Sequence, residues 1–299
     1  MFKGINIKNI IIQPTVCIIK RTMEVQIKNI SKIEVFTTIF QNLMVFNDHV
    51  NLQFDTKGLY IQGMDTSHVS IFELFITAAW FDKYTPPPSP VNIGINSNIF
   101  SKILTSREKT QEMKILYDSN ESEDKMRIFM GNFTAPPPPD AAAVASSSTT
   151  PHPFDRTFEM PLVGIETDLL SVPEIEYEAE ITLCSAKMAA VVQQLKMFNE
   201  TMTIVCSENK ISLNSADNSS ASMTVEIKID EVSEYTIDEG KEIKLSYSLN
   251  YISNICKFHK IAREVQISLT SEYPMRMNYD IGDGASMRFY LAPKIGEDD

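Results

Sequence analysis

The sequence predicts an α+β protein of two similar domains, each with two short helices packed on antiparallel sheets. Three observations carry that prediction. The chain has 299 residues, long for one domain and natural for two of about 150, so two cores are expected. It repeats itself, because residues 41–117 fall on residues 193–269 at a constant offset of 152 without a gap. Within each copy the apolar period switches between the helical 3.6 and the strand value of 2.

Residues 1–22 precede the first copy. Their longest apolar run, Ile10 to Ile19, is broken by Gln13 and Pro14, too short to span a bilayer and without a leader pattern. The string IKNI at Ile7 to Ile10 recurs at Ile27 to Ile30. A helix is predicted over 31–47. Leu59 and Ile61, then Val69, Ile71 and Phe72 to Ile76, alternate as strands. Pro86 to Pro88 with Pro90 mark a loop, since proline lacks the donor a ladder needs. A second helix follows over 97–108. Thr134 to Pro153, TAPPPPDAAAVASSSTTPHP, has almost nothing to bury and reads as a surface insertion into a hairpin.

The second copy repeats the plan. Met188, Val191, Val192, Leu195 and Phe198 form one apolar stripe of a helix over 185–199. Gln41 falls on Gln193, Leu43 on Leu195, and Phe46-Asn47-Asp48 on Phe198-Asn199-Glu200. Ile243, Leu245 and Tyr247 form a strand, 248–260 a fourth helix, and Val265, Ile267 and Leu269 another strand. Asn98 falls on Asn250, Ser101 on Ser253, Ile103 on Ile255 and Glu112 on Glu264. Asp283-Gly284, flanked by Met277, Tyr279, Met287 and Phe289, marks a hairpin turn rather than a phosphate loop.

Charge is segregated on this plan. The chain carries −12 overall, which argues against a generic nucleic-acid coat protein. In the helices, however, Lys32 cancels Glu34, Lys102 and Arg107 outweigh Glu108, and Lys187, Lys196, Lys257 and Lys260 are unopposed, leaving +5 there and −17 elsewhere. Four basic or neutral helices in an acidic protein suggest one wall that faces a polyanion.

Catalytic chemistry is missing. There is no GxxxxGK[ST], HExxH or GxSxG, and the carboxylate clusters read as solvated turns and a tail. His49, His68, His152 and His259 stand apart from any partner at metal-ligand spacing, and no cofactor is implied. Cys17, Cys184, Cys206 and Cys256 are too dispersed for a zinc site and read as buried free thiols in a reducing compartment.

Two strings, GLYIQGMDTSHVS at Gly58 to Ser70 and RFYLAPKI at Arg288 to Ile295, resemble the most recognisable motifs of the proliferating cell nuclear antigen family of sliding clamps. SKIL at 101–104, LLSVPEIEY at 169–177 and SEYPMRMNYDI at 271–281 fit the same family in order, and the resemblance runs from about Met23 to the C-terminus. It implies a DNA clamp fold with an N-terminal domain over 23–162 carrying the insertion 134–153, a connector over 163–177 and a C-terminal domain over 178–299. It further implies a homotrimeric ring around double-stranded DNA that tethers DNA polymerase, clamp loader and other partners. Such a processivity factor is no enzyme and works in the nucleus or, for a viral clamp, where viral DNA is copied. A subunit of a heterotrimeric or checkpoint-type clamp, and an acidic scaffold that does not encircle DNA, are the alternatives.

Residue by residue, the resemblance assigns the channel first to Lys102 and Lys257, with Lys187, Lys196, Lys260, Arg107 and Lys32 beside them. Family positions that are usually basic hold Asn29, Thr37, Thr38, Met44, Thr105, Ala190, Gln193, Met197 and Asn250 here, so weak DNA contact is expected. A partner pocket is implied at Met64, His68, Val69, Leu170, Val172, Pro173, Tyr177, Pro274, Tyr290, Leu291 and Pro293. Subunit contacts are implied at Phe158 on one side and Ser219, Ser220, Met223 and Val225 on the other. The family's main modification lysine aligns with Glu208.

Overall fold

The computed structural model of the chain describes residues 22–133, 154–166, 169–216 and 221–294. The expectations for the N-terminal extension up to residue 21, the insertion 134–153, Ser219 and Ser220 lie outside the described residues. The first half runs β1 (Thr22–Ile27), α1 (Ile30–Leu43), β2 (His49–Phe54), β3 (Gly58–Met64), β4 (Ser70–Thr77), β5 (Lys83–Thr85), β6 (Val91–Asn96), α2 (Ser97–Thr105), β7 (Glu112–Asp118), β8 (Lys125–Gly131) and β9 (Arg156–Pro161). The second half repeats that order as β10 (Ala179–Cys184), α3 (Ser185–Leu195), β11 (Thr201–Ser207), β12 (Lys210–Ser215), β13 (Met223–Ile227), β14 (Glu234–Ile237), β15 (Ile243–Ser248), α4 (Leu249–Cys256), β16 (Glu264–Leu269), β17 (Met275–Gly282) and β18 (Ala285–Leu291). The starts of β3 and β12, β6 and β15, α2 and α4, and β7 and β16 are separated by the same offset as the sequence repeat.

Helix starts are chemically explicit in the first half. The Asn29 side chain accepts from the amides of Ser31 and Lys32, and Asn96 accepts from that of Ile99, each satisfying a first-turn donor. The helices end earlier than their apolar patterns suggest. Phe46 continues the stripe of α1 yet lies in a turn, where it leaves the helix to pack between the two halves. Lys257 to Lys260 form a tighter 3₁₀ turn that buries Phe258.

Three sheets result. A five-stranded sheet has the order β5-β1-β7-β8-β9, a four-stranded one β13-β12-β11-β15, and a nine-stranded one β14-β10-β16-β17-β18-β4-β3-β2-β6. The long sheet is a five-stranded piece of the second half joined to a four-stranded piece of the first through the antiparallel pair β18 and β4, with Phe289 opposite Phe72 and Arg288 opposite Glu73.

Behind that seam Phe289 lies 5.3 Å from Phe46 and 4.9 Å from Phe258, ring centre to ring centre. The apolar interior therefore runs without a break from one half to the other, where the sequence predicted two cores. The seam is pinned at its end by Lys32, whose ammonium lies 2.7 Å from the Asp283 carboxylate, while Thr77 Oγ1 donates to the Asp283 carbonyl.

Candidate functional site

After β9 the chain crosses to the second half as an extended connector. Its first residues run along the open edge of β6, where the Val163 amide donates to the Gly94 carbonyl at 2.8 Å. Only glycine fits at 94, because a Cβ there would lie 1.9 Å from the Val163 oxygen. Farther on, the Gln62 side chain clasps the connector backbone, donating to the Leu170 carbonyl at 2.8 Å and accepting from the Leu170 amide at 2.7 Å.

Beyond that clasp an apolar pocket of about 240 Å³ opens between connector and sheet. Leu170, Val172, Pro173 and Tyr177, all assigned to the pocket from sequence, form one wall with Ser171 and Ile175. Pro274 and Tyr290, also assigned, face them with Ile71 and Tyr273. Tyr290 donates its hydroxyl to Glu73 at 3.0 Å, and burial with the neighbouring carboxylate pushes its phenol up to about 12. The Arg276 guanidinium lies over the Tyr177 ring at 4.6 Å.

The other assigned pocket residues lie elsewhere. Leu291 is 1% exposed and belongs to the core, because it falls on the inward phase of β18. Met64 lines a separate depression on the far side of Leu170 with Asn47, His49 and Gln62. His68 is exposed, with φ of 58° in the loop between β3 and β4, Val69 packs on the core, and Pro293 is half-buried after β18. Asp65 holds that loop by accepting from the amides of Ser67, Val69 and Ser70 and from the Tyr251 hydroxyl of α4. Ile71 was legible, since its alternation with core residue Phe72 puts an apolar side chain on the outer face; Ile175 and Tyr273 carried no periodic signal.

The helices pair as α1 with α2 and α3 with α4. Lys102, Lys187, Lys196, Lys257 and Lys260 are exposed and form no ion pair among the described residues. Two assigned cations are otherwise engaged. Lys32 is held by Asp283, by the Trp80 carbonyl at 2.7 Å and over the Trp80 ring, which makes it a clamp on the seam. Arg107 donates to the carbonyls of Glu108, Lys109 and Gln111, closing the turn after α2. Several neutral positions also have local duties: Gln41 donates to Thr105, Gln193 to Ser253, and Asn29 caps α1.

Of the six edge strands among the described residues, two carry the residues assigned to subunit contacts. In the described residues β9 pairs only with β8, and β13 only with β12. Phe158 on β9 and Met223 and Val225 on β13 are half-buried apolar residues at those edges.

Comparison with known proteins gives a consistent result. Residues 22–135 match the N-terminal domain of proliferating cell nuclear antigen, and residues 171–294 its C-terminal domain. A proliferating cell nuclear antigen of Chaetomium thermophilum is 25% identical over 253 residues, covering 83% of this chain and 90% of the relative. A DNA polymerase sliding clamp of Pyrococcus abyssi is 24% identical over 262 residues, 88% of this chain and 95% of the relative. The solved structure of the proliferating cellular nuclear antigen of Entamoeba histolytica matches with a TM-score of 0.75 at 24% identity, covering 91% of this chain and 99% of that one. Among the described residues no helix is long and apolar enough to cross a membrane.

Proposed function

We propose, from the premise that this chain belongs to the proliferating cell nuclear antigen family, that its subunits close into a ring by pairing β9 of one copy with β13 of the next. The protein is a DNA sliding clamp, not an enzyme. Three subunits encircle the duplex and tether polymerases and other partners, so function follows from topology and nonspecific phosphate contact rather than from bond-making. On this proposal residues 23–162 and 178–299 are the clamp domains, 163–177 the connector, and 1–22 and 134–153 additions. Its place of work is the nucleus or a site of viral DNA replication.

One observation carries the edge-to-edge assembly: the seam already present inside the chain. There a five-stranded piece ending in β18 meets a four-stranded piece ending in β4. The repeat counterparts of those strands are themselves sheet edges, a five-stranded sheet ending in β9 and a four-stranded sheet ending in β13. Carrying the β18 and β4 register through the repeat sets Phe158 opposite Met223, Thr157 opposite Thr224 and Arg156 opposite Val225 of a neighbouring copy. The counterparts of Phe289, Phe72 and Phe46 are then Phe158, Met223 and Phe198. Phe198 is half-buried and was not among the interface residues assigned from sequence. Pairing would also remove two exposed edges that invite aggregation.

Oxidative cross-linking tests this register. Thr157→Cys combined with Thr224→Cys is expected to give a covalent ladder ending at three subunits, and Thr157→Cys with Glu226→Cys much less. A solution mass of one subunit at tens of micromolar would sink the self-closing ring, and recovery of the ring only on adding a different clamp chain would establish a heteromeric one.

The free lysines Lys102, Lys257, Lys187, Lys196 and Lys260 are proposed to face the duplex. The apolar pocket under Leu170 to Tyr177 is proposed to take an aliphatic and aromatic plug from a partner peptide, with flanking backbone added along the connector.

A further inference from the structure

We infer that Gln62 and Glu73, neither of which lines the apolar pocket, are positioning residues that fix the gap between its two walls; this rests on the proposal that the pocket takes partner peptides.

One wall is the connector from Leu170 to Tyr177, and the other is the sheet face carrying Ile71 and Tyr290. The connector does not rest on the sheet along this stretch. A chamber of about 440 Å³ lies between Val172 to Ile175 of the connector and Glu73 and Arg288 of the sheet, with Tyr177 and Arg276 meeting at its end. A segment spanning open space gains little from packing beneath it, so its anchors decide where it stops.

At one end the anchor is Tyr177 against Arg276, which is itself held by Glu180 and Ser268 at 3.0 Å. At the other it is the two-bond clasp of Gln62 on Leu170. The Gln62 amide is steered in turn by Glu73 Oε1 at 3.3 Å, which also accepts from the Tyr60 hydroxyl at 2.6 Å. The second oxygen, Oε2, accepts from Tyr290 at 3.0 Å. One carboxylate thus holds a residue of the sheet wall with one oxygen and the clasp on the connector wall with the other.

A carboxylate suits this task because it only accepts, with lone pairs enough for three donors, whereas an amide at 73 must turn its NH₂ toward one of them. Arg288, directly opposite Glu73 across the seam, supplies a compensating positive charge. The outward phase of β4 put Glu73 on this face, and nothing in its sequence neighbourhood marked it as tied to the clasp on Leu170, 97 residues farther along the chain.

The test uses the full chain and a fluorescein-labelled synthetic peptide carrying a short plug of aliphatic and aromatic residues, titrated by fluorescence anisotropy. Val172→Glu, in the pocket wall, checks the pocket itself and is expected to abolish binding. Gln62→Leu and Glu73→Leu should each weaken binding about tenfold and Glu73→Gln about threefold, with solution mass unchanged. The double variant Gln62→Leu with Glu73→Leu should bind within about twofold of the weaker single one, because the two groups act in series. Hydrogen exchange without peptide should show the Leu170 amide losing protection in both leucine variants while β7 and β16 keep theirs. Parent-like binding in either leucine variant, or effects that multiply in the double one, would overturn the inference while leaving the pocket intact; if Glu73→Leu fails to fold, parent-like binding by Glu73→Gln and Gln62→Leu overturns it equally. A parent chain that does not bind the peptide, or binding untouched by Val172→Glu, would overturn the pocket proposal and this inference together.

Discussion

Asp65 shows how much one side chain can organise. Burial alone would raise its pKa, but donors from Ser70, Ser67, Tyr251 and Val69 outweigh that and hold the carboxyl below its usual range. Glu178 is lowered to about 2 by Lys241 first and by Ser271 next. Both folded values lie below the unfolded ones, so their contribution is present above the unfolded values and is lost as pH falls through the folded ones, about 2 for Glu178. Urea titrations between pH 6 and 2.5 should show stability falling only below about 4.5, with the Asp65→Asn chain less stable by roughly 1–3 kcal/mol at pH 7 and flatter in its acid response. Cysteine chemistry is set the same way. Burial pushes the Cys206 and Cys256 thiols up to about 12, so in the native chain iodoacetamide should spare both and reach half-buried Cys184 sooner. The reading of these as buried free thiols followed from their spacing. That Lys32 and Arg107 are engaged within the fold did not, because their partners, Asp283 and a run of turn carbonyls, come together only in three dimensions.

Elements were legible where period and capping agreed. The offset between copies located β3, β6, α2 and β7 against β12, β15, α4 and β16, since a repeated core demands the same inward positions twice. Helix ends were overrun, because Phe46, Phe198 and Phe258 prolong an apolar stripe past the last helical turn, where Phe46 and Phe258 pack against Phe289. The connector was visible as a motif, but its course was not, for its anchors are a glycine on one strand and a glutamine on another. Gly94→Ala puts a methyl group where the Val163 oxygen now sits, so the connector must lift from β6. Limited proteolysis should then cut within 163–177 at protease doses that leave the parent intact, and peptide affinity should fall while β1 and β7 keep their exchange protection.

For the whole molecule, segregation of charge was readable from helix sums alone, and five free lysines remain after Lys32 and Arg107 are discounted. Each lysine that meets a phosphate contributes about 0.9 to the salt slope of DNA binding. Replacing Lys102 and Lys257 by alanine should therefore reduce the slope by at most about 2 and shorten retention on linear DNA, with the ring mass unchanged. The seam between halves was the least legible feature, because strand order across a sheet is a tertiary choice that neither period nor repeat specifies. Its proposed duplication between subunits has a mechanical outcome. The junction of β18 with β4 is bridged by the chain's own connector, so its edges are held near each other at an effective concentration that dilution cannot touch. The junction proposed between β9 and a neighbour's β13 would have no such tether and would obey mass action. In the proposed ring tethered and untethered joints alternate, so only every second joint could act as a door for DNA.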